Sequence, residues 1–442
     1  MNNRLTVSDE MRFTLPVIAE NIFTASVSLV YSAVTGKISE GALAASNVVN
    51  QAMNLVFALF ALLTTGSAVL VARFTGHGDR AEASRTAEAS VSMGLVMSAA
   101  LTLILLALSH PVMRLLMPGA EKEFFREGRV YFRLILLSVP AVIVANSGAS
   151  MLRAAGNSRQ VLFANIVSNA TQLFCVWLFT SVFDLGIRGA ALAAVFCRYV
   201  SASYLTVALM RNQRGFTVEP RRLARPDLSV VRHIFKVGFP ASIDQVSIQI
   251  AYVIVNSMLV SIGKSEASVV GVLSSVLLFT GITQGMGSAA STTLVGQKVG
   301  AGDIEGARRK GRQILLICEA VAMGLCVPVV LFPDFSAGLF SKSSEITRAS
   351  ADFIWIMFPY CFVAVGVNVS EPVARVGGEV RFTMLVVVLC VWLIRLPLTW
   401  LLAIKLGMGV QGIYAANIAS LAVRFLISFL KDSGKDWGRK EL

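Results

Sequence analysis

Seven ionisable side chains stand inside long apolar stretches of the chain: Glu20, Arg198, Asp244, Glu319, Glu371, Arg395 and Arg424. A charge removed from water is costly unless it is paired, hydrated or put to use. Each of these groups must therefore meet an opposite charge, reach water, or bind a proton, a cation or a charged substrate. Glu20 and Asp244 are the most informative pair, because each lies about eight residues inside its apolar stretch. A desolvated carboxyl at such a place suits proton uptake and release. The rival role is a paired carboxylate that fixes helix packing. Asn165, Asn169 and Gln172 follow i, i+4, i+7 spacing, which puts them on one helical face. Such a stripe either lines a polar path or hydrogen-bonds to neighbouring helices. Arg395 can neutralise a carboxylate such as Asp244 or Glu371, or face an anionic substrate. Arg198 and Arg424 are close enough to a span end to snorkel toward it. Glu371, followed by Pro372, is placed to cap its helix and pair with Arg375, and Glu319 has no evident preference.

These residues are carried by apolar blocks of about 20 residues, the length that crosses a hydrocarbon layer of roughly 30 Å. The blocks fall near 12–35, 48–72, 89–109, 131–152, 160–182, 188–210, 236–262, 269–297, 312–332, 350–373, 382–404 and 410–430. The 442 residues are 55% hydrophobic and 15% charged, far from the balance of a soluble domain. This excludes a soluble enzyme, a disulfide scaffold and a disordered chain, and the block length excludes an outer-membrane barrel. An all-α integral membrane protein of twelve transmembrane helices is expected. The net charge of +13 is mainly a topology signal. Of the Lys and Arg residues, 25 fall on the side of the termini and 10 on the other, with four in or at the edge of spans. The bias places both termini in the cytoplasm, and nucleic acid is not an expected partner. The six cysteines all fall inside apolar blocks without a CxxC pair, so they read as buried small hydrophobes. The polar start, MNNRLTVSDEMRF, lacks the features of a signal peptide.

The chain repeats itself. Pro16, Glu20 and Asn21 meet Pro240, Asp244 and Gln245 at an offset of 224. Gly76, Gly78 and Asp79 meet Gly300, Gly302 and Asp303 at the same offset. Arg153 and Gly156 meet Arg375 and Gly378 at 222, and Gly186 and Gly189 meet Gly409 and Gly412 at 223. Two halves of six spans follow: residues 1–210, a basic cytoplasmic linker at 211–235, and residues 236–442 with a cytoplasmic tail. Six is even, so the halves share one orientation, and a parallel pseudo-twofold repeat along the membrane normal is expected. The GHGD and GAGD segments lack the ending and the preceding strand of a phosphate-binding loop. They read instead as left-handed glycine caps followed by an Asp that caps or turns the loop. No nucleophile–base or metal constellation is recognisable, so the chain is not expected to be an enzyme or to hold a cofactor.

The order of these motifs resembles the multidrug and toxic compound extrusion (MATE) family. Each half carries a Pro-containing first span, a Gly-x-Gly-Asp loop after the second, LR-x-x-Gly or AR-x-x-Gly after the fourth, and LG or MG with a second glycine before the sixth. GALAAS at 41–46 and IRLP at 394–397 are similar to it too, and the resemblance runs from about Pro16 to Leu430. It implies two six-helix bundles about a V-shaped central cavity, and efflux of small organic, often cationic or amphipathic, compounds by alternating access, coupled to inward H⁺ or Na⁺. It also implies a multi-pass protein of a bacterial inner membrane, surrounded by lipid and monomeric. The alternative within the same wider superfamily is a flippase for lipids or lipid-linked oligosaccharides.

The resemblance also identifies departures. Many H⁺-linked members place an Asp five residues before a Gly in the first span; here the slot before Gly36 is Tyr31. The companion acid in the fifth span aligns with Val176, its polar neighbour with Gln172, and a sixth-span Thr with Ala194. In the C-terminal half, Tyr360 matches the Tyr of the Na⁺-linked members, but their Asp falls on Ala364 and their Glu near Ile248. Glu20 lies three turns from Tyr31 on one face, and Arg395 is the repeat equivalent of Gln172. The expected coupling or cavity residues are thus Glu20, Tyr31, Asn165, Asn169, Gln172, Asp244, Tyr360 and Arg395.

Overall fold

The computed structural model describes residues 16–17, 19–21, 23–24, 27, 40–117, 122–211, 216–223, 227–340, 343–432, 434 and 437–438. Among the described residues all regular structure is helical. Among the described residues eight helices are long and apolar enough to cross a membrane, and three more spans are bent pairs, giving up to 11. The bent pairs are Val48–Leu59 with Ala61–His77 at 42°, Phe124–Leu136 with Val139–Ala154 at 46°, and Ser265–Leu277 with Gly281–Gly300 at 47°. These eleven fall on the second to twelfth expected blocks. The first block, 12–35, falls mainly outside the described residues, and Tyr31 with it.

The repeat is written in the backbone of each half. Left-handed glycines recur at matched places: Gly78 and Gly302 (φ 84° and 78°), Gly156 and Gly378 (82° and 95°), Gly186 and Gly409 (54° and 51°). Only glycine adopts these angles without strain, which is why the glycines survive in both halves when most neighbours differ. After the first pair of turns, Asp79 accepts from the Glu82 amide at 3.0 Å and Asp303 from the Gly306 amide at 2.8 Å. The GHGD and GAGD segments are therefore helix stops and starts. Lys298 also donates to Asp303, and its hydrogen bond holds that carboxyl below its usual range. Wide π-type turns close the fifth span at Leu178–Val182 and the eleventh at Trp400–Lys405. Against these turns Gly189 and Gly412 approach backbone so closely that an added Cβ would stand 2.7 Å from the Phe179 carbonyl oxygen or 2.6 Å from the Ala403 nitrogen.

The chain divides into two compact units, Met1–Phe239 and Pro240–Leu442. In the first, small residues let helices pack tightly. A Cβ on Gly238 would collide with the Leu62 backbone, and one on Gly66 would stand 2.7 Å from the Ile234 carbonyl oxygen. Close small-residue crossings of this kind replace hydrophobic driving force within a bilayer. The helix Leu228–Ile262 begins inside the segment expected as a linker and contains Pro240. Another part of that segment is strapped to the third span. Ser92 donates to the Leu223 carbonyl at 2.7 Å, the Glu219 amide to Glu88 at 3.0 Å, and Phe216 and Val218 are buried.

In the second unit, Trp437 near the C-terminus is buried, and an Arg308 guanidinium lies 5.7 Å from its ring centroid. The six cysteines are buried and free, as their apolar surroundings imply.

Candidate transport site

Each unit pins its acid with its own repeat arginine. In the first, Arg153 Nη1 donates to Glu20 Oε1 at 2.9 Å and to Oε2 at 3.0 Å. In the second, Arg375 Nη2 donates to Asp244 Oδ2 at 2.9 Å. The first-span acid and the arginine closing the fourth span are thus joined, twice, across more than 130 residues of sequence. The sequence presents all four residues as repeat partners, but their pairing depends on helix azimuths that spacing alone does not give.

The two pairs differ in their surroundings. The Glu20 and Arg153 side chains keep 13% and 22% of their surface exposed. Asp244 is fully buried and belongs to a longer chain of charges. Arg375 also meets Glu371 Oε2 at 3.4 Å, and Arg424 donates to Glu371 Oε1 through Nε at 2.9 Å. The expected Glu371–Arg375 contact is therefore present, with Arg424 as its second partner. The expectation that Arg424 snorkels to the membrane edge is corrected: a buried carboxylate holds it inside. Arg198 is likewise engaged locally, donating to Ser138 Oγ at 2.6 Å beside the Phe57 ring.

The polar stripe of the fifth span meets the first. Asn169 is buried, and its Nδ2 donates to Thr24 Oγ1 at 3.4 Å, one turn beyond Glu20. Asn165 and Gln172 are half-buried on the same helix. The position of Val176 is apolar, packed with Cys175, Ala193 and Phe179, and Ala194 is buried beside that cluster in sequence. Tyr31 lies outside the described residues.

In the second unit a cavity of about 210 Å³ is lined by Tyr252, Tyr360, Glu371, Arg375, Arg395 and Arg424 among others. Among the described residues Glu371 is the single carboxyl-bearing residue of that lining, and Ile248 and Ala364 stand where the resemblance places acids. Tyr360 packs edge-on against Tyr414 at 6.2 Å between centroids. Arg395 lies over the Tyr252 ring at 4.4 Å. Asp244 and Glu371, the partners suggested for Arg395, are taken by Arg375 and Arg424. Glu319 in the ninth span is a residue that sequence left without a role. Both its carboxyl oxygens are buried, and among the described residues neither has a hydrogen-bond partner.

A polytopic helical protein with duplicated intramembrane ion pairs and a polar cavity inside one bundle has the architecture of a membrane transporter. The MatE family model matches residues 16–178 and 240–401, one segment in each half. The chain belongs to the MatE family. It is 24% identical to the probable multidrug resistance protein NorM of Thermotoga maritima, over 97% of this chain and 93% of that one. It is 23% identical to an uncharacterised transporter, YisQ, of Bacillus subtilis, over 91% and 89%. Its fold matches that of a multidrug resistance MATE family transporter in an outward-facing conformation, with a TM-score of 0.89 at 18% identity, over 96% and 94% of the two chains. A transporter of the MOP superfamily from Pyrococcus furiosus shares the fold at 0.88, also at 18% identity, with the same coverage.

Proposed function

We propose that the chain exports small organic compounds by alternating access, driven by inward protons, with Glu20 as the coupling acid. The observation that carries this reading is the contrast between the two repeat ion pairs. Among the described residues Glu20 is held by one arginine, at a partly exposed site. A proton reaching it competes with Arg153 for the carboxylate and loosens the hold of the first span on the fourth. Asp244 is sealed within a four-membered charge chain, so it serves packing. The Thr24–Asn169 contact extends the Glu20 site one turn deeper along a polar face.

Protons fit better than Na⁺. A sodium site needs several oxygen ligands free of competing cations. Among the described residues the one carboxyl lining the second unit's cavity is already bonded to two guanidinium groups, and a third lines the same space. The relatives named for multidrug resistance support small organic compounds as cargo. The protein acts as a monomer in a bacterial inner membrane, with both termini in the cytoplasm.

Cells with and without the gene, exposed to a panel of dyes and antibiotics, test the export reading. Expression is expected to lower dye accumulation and raise tolerance to several compounds. Equal accumulation of every dye in the two strains contradicts it. For topology, a reporter active only in the periplasm and fused after Leu442 is expected to be silent, and its activity there overturns the orientation.

A further inference from the structure

The charges around the second unit's cavity do not cancel. Asp244, Glu371, Arg375 and Arg424 form a connected set of two acids and two bases. Arg395 stands outside it. Its side chain is buried, 6% exposed, yet no carboxylate pairs with it among the described residues. Its contact is the face of Tyr252, with the guanidinium carbon 4.4 Å from the ring centroid. The Tyr252 face positions the guanidinium, and among the described residues its N–H donors carry no hydrogen bond, so they are available to a ligand. The backbone makes the same point. Arg395 ends a wide π-type turn, Cys390–Arg395, just before Pro397. Turns of this kind occur frequently at functional sites in helices. From the start of the helix at Val380 the residue lies about 22 Å along the axis, at 1.5 Å per residue. That depth is too great for the side chain to reach the helix's starting end.

We propose that the second unit's cavity is an anion site, in which Arg395, supported by Tyr252, binds the carboxylate of a small organic acid or zwitterion. A buried cation without a counter-ion is costly, and a ligand carboxylate removes that cost. The planar fork of arginine matches a carboxylate through two parallel hydrogen bonds. Tyr252 and Tyr360 line the same space and offer aromatic surface to the apolar part of the ligand. A volume of about 210 Å³ suits a single-ring compound. This inference adds small acids and zwitterions to the cargo of the export reading, and rests on that reading for physiological meaning.

Binding in the absence of any gradient separates the two. The purified protein in phosphatidylcholine nanodiscs is titrated calorimetrically with benzoate, with benzamide of the same shape and with benzyltrimethylammonium. Saturable binding of benzoate, displaced by neither of the others, is expected. Arg395→Gln is expected to weaken it by about tenfold or more, the scale of a lost charge-assisted contact. Arg395→Lys keeps the charge without the fork and is expected to fall between. If Arg395→Gln does not fold, the charge series on the unaltered protein still decides. Benzamide binding as tightly as benzoate, or benzoate failing to bind, overturns the site. So does undiminished benzoate affinity in a folded Arg395→Gln protein. Absent transport with intact benzoate binding defeats the export reading and leaves this one standing.

Discussion

Arg375→Ala is expected to destabilise the protein by roughly 3–5 kcal/mol, the cost of stripping one partner from a buried ion pair. The substitution leaves Asp244, which is fully buried, without its 2.9 Å contact. It also removes the bridge to Glu371, which among the described residues then keeps Arg424 alone. The matching change in the first unit, Arg153→Ala, is expected to cost less, because Glu20 retains contact with solvent. Thermal unfolding of the detergent-purified proteins measures both. The double variant Asp244→Asn, Arg375→Gln removes opposite charges together and is expected to recover much of the loss. Equal melting of Arg375→Ala and the unaltered protein would show that the charge chain contributes nothing to the fold.

Glu20→Gln is expected to abolish the proton dependence of efflux while leaving the protein folded. Gln keeps the size and much of the hydrogen bonding of Glu, but it cannot gain or lose a proton in this range. The initial rate of dye movement in inverted vesicles under an imposed pH gradient is expected to fall by about tenfold or more, the usual scale for loss of a proton-transfer group. Protein level is checked alongside, and Asp244→Asn serves as comparison. That variant is expected to lower the amount of folded protein, in keeping with its place in the buried charge chain. A Glu20→Gln protein with unchanged rate and unchanged proton dependence defeats the assignment. If Glu319→Gln loses the dependence at the same time, the coupling acid is the unpaired one in the ninth span.

Much of this arrangement was readable in one sequence because it is local or repeated. Apolar block length sets the spans. Glycines at fixed offsets mark turns that need left-handed backbone, and Gly78, Gly156 and Gly186 with their counterparts adopt it. The Glu371–Arg375 contact was visible as an i, i+4 pair on one helix. What lay hidden is the pairing across helices. Glu20 finds Arg153 and Asp244 finds Arg375 only because packing turns those faces together. A signal was nonetheless present: an acid and an arginine recurring together in both halves, at almost one offset, are candidates to touch. Arg395 is the opposite case. Its isolation follows from the capture of both nearby acids by other arginines, which no spacing rule reports. The bends in three spans were also missed, since hydropathy measures length and not direction. One break is followed closely by Pro140 and another by Gly281, residues that favour such breaks without dictating them.

Proton-driven export is tested most directly with purified protein in sealed liposomes loaded with a cationic dye. A pH gradient and a Na⁺ gradient are imposed separately, with membrane potential clamped. Dye movement against its concentration gradient under the pH gradient alone, absent in protein-free liposomes, is the expected result. Movement under the Na⁺ gradient alone, or mere equilibration of dye under either gradient, contradicts proton coupling at Glu20.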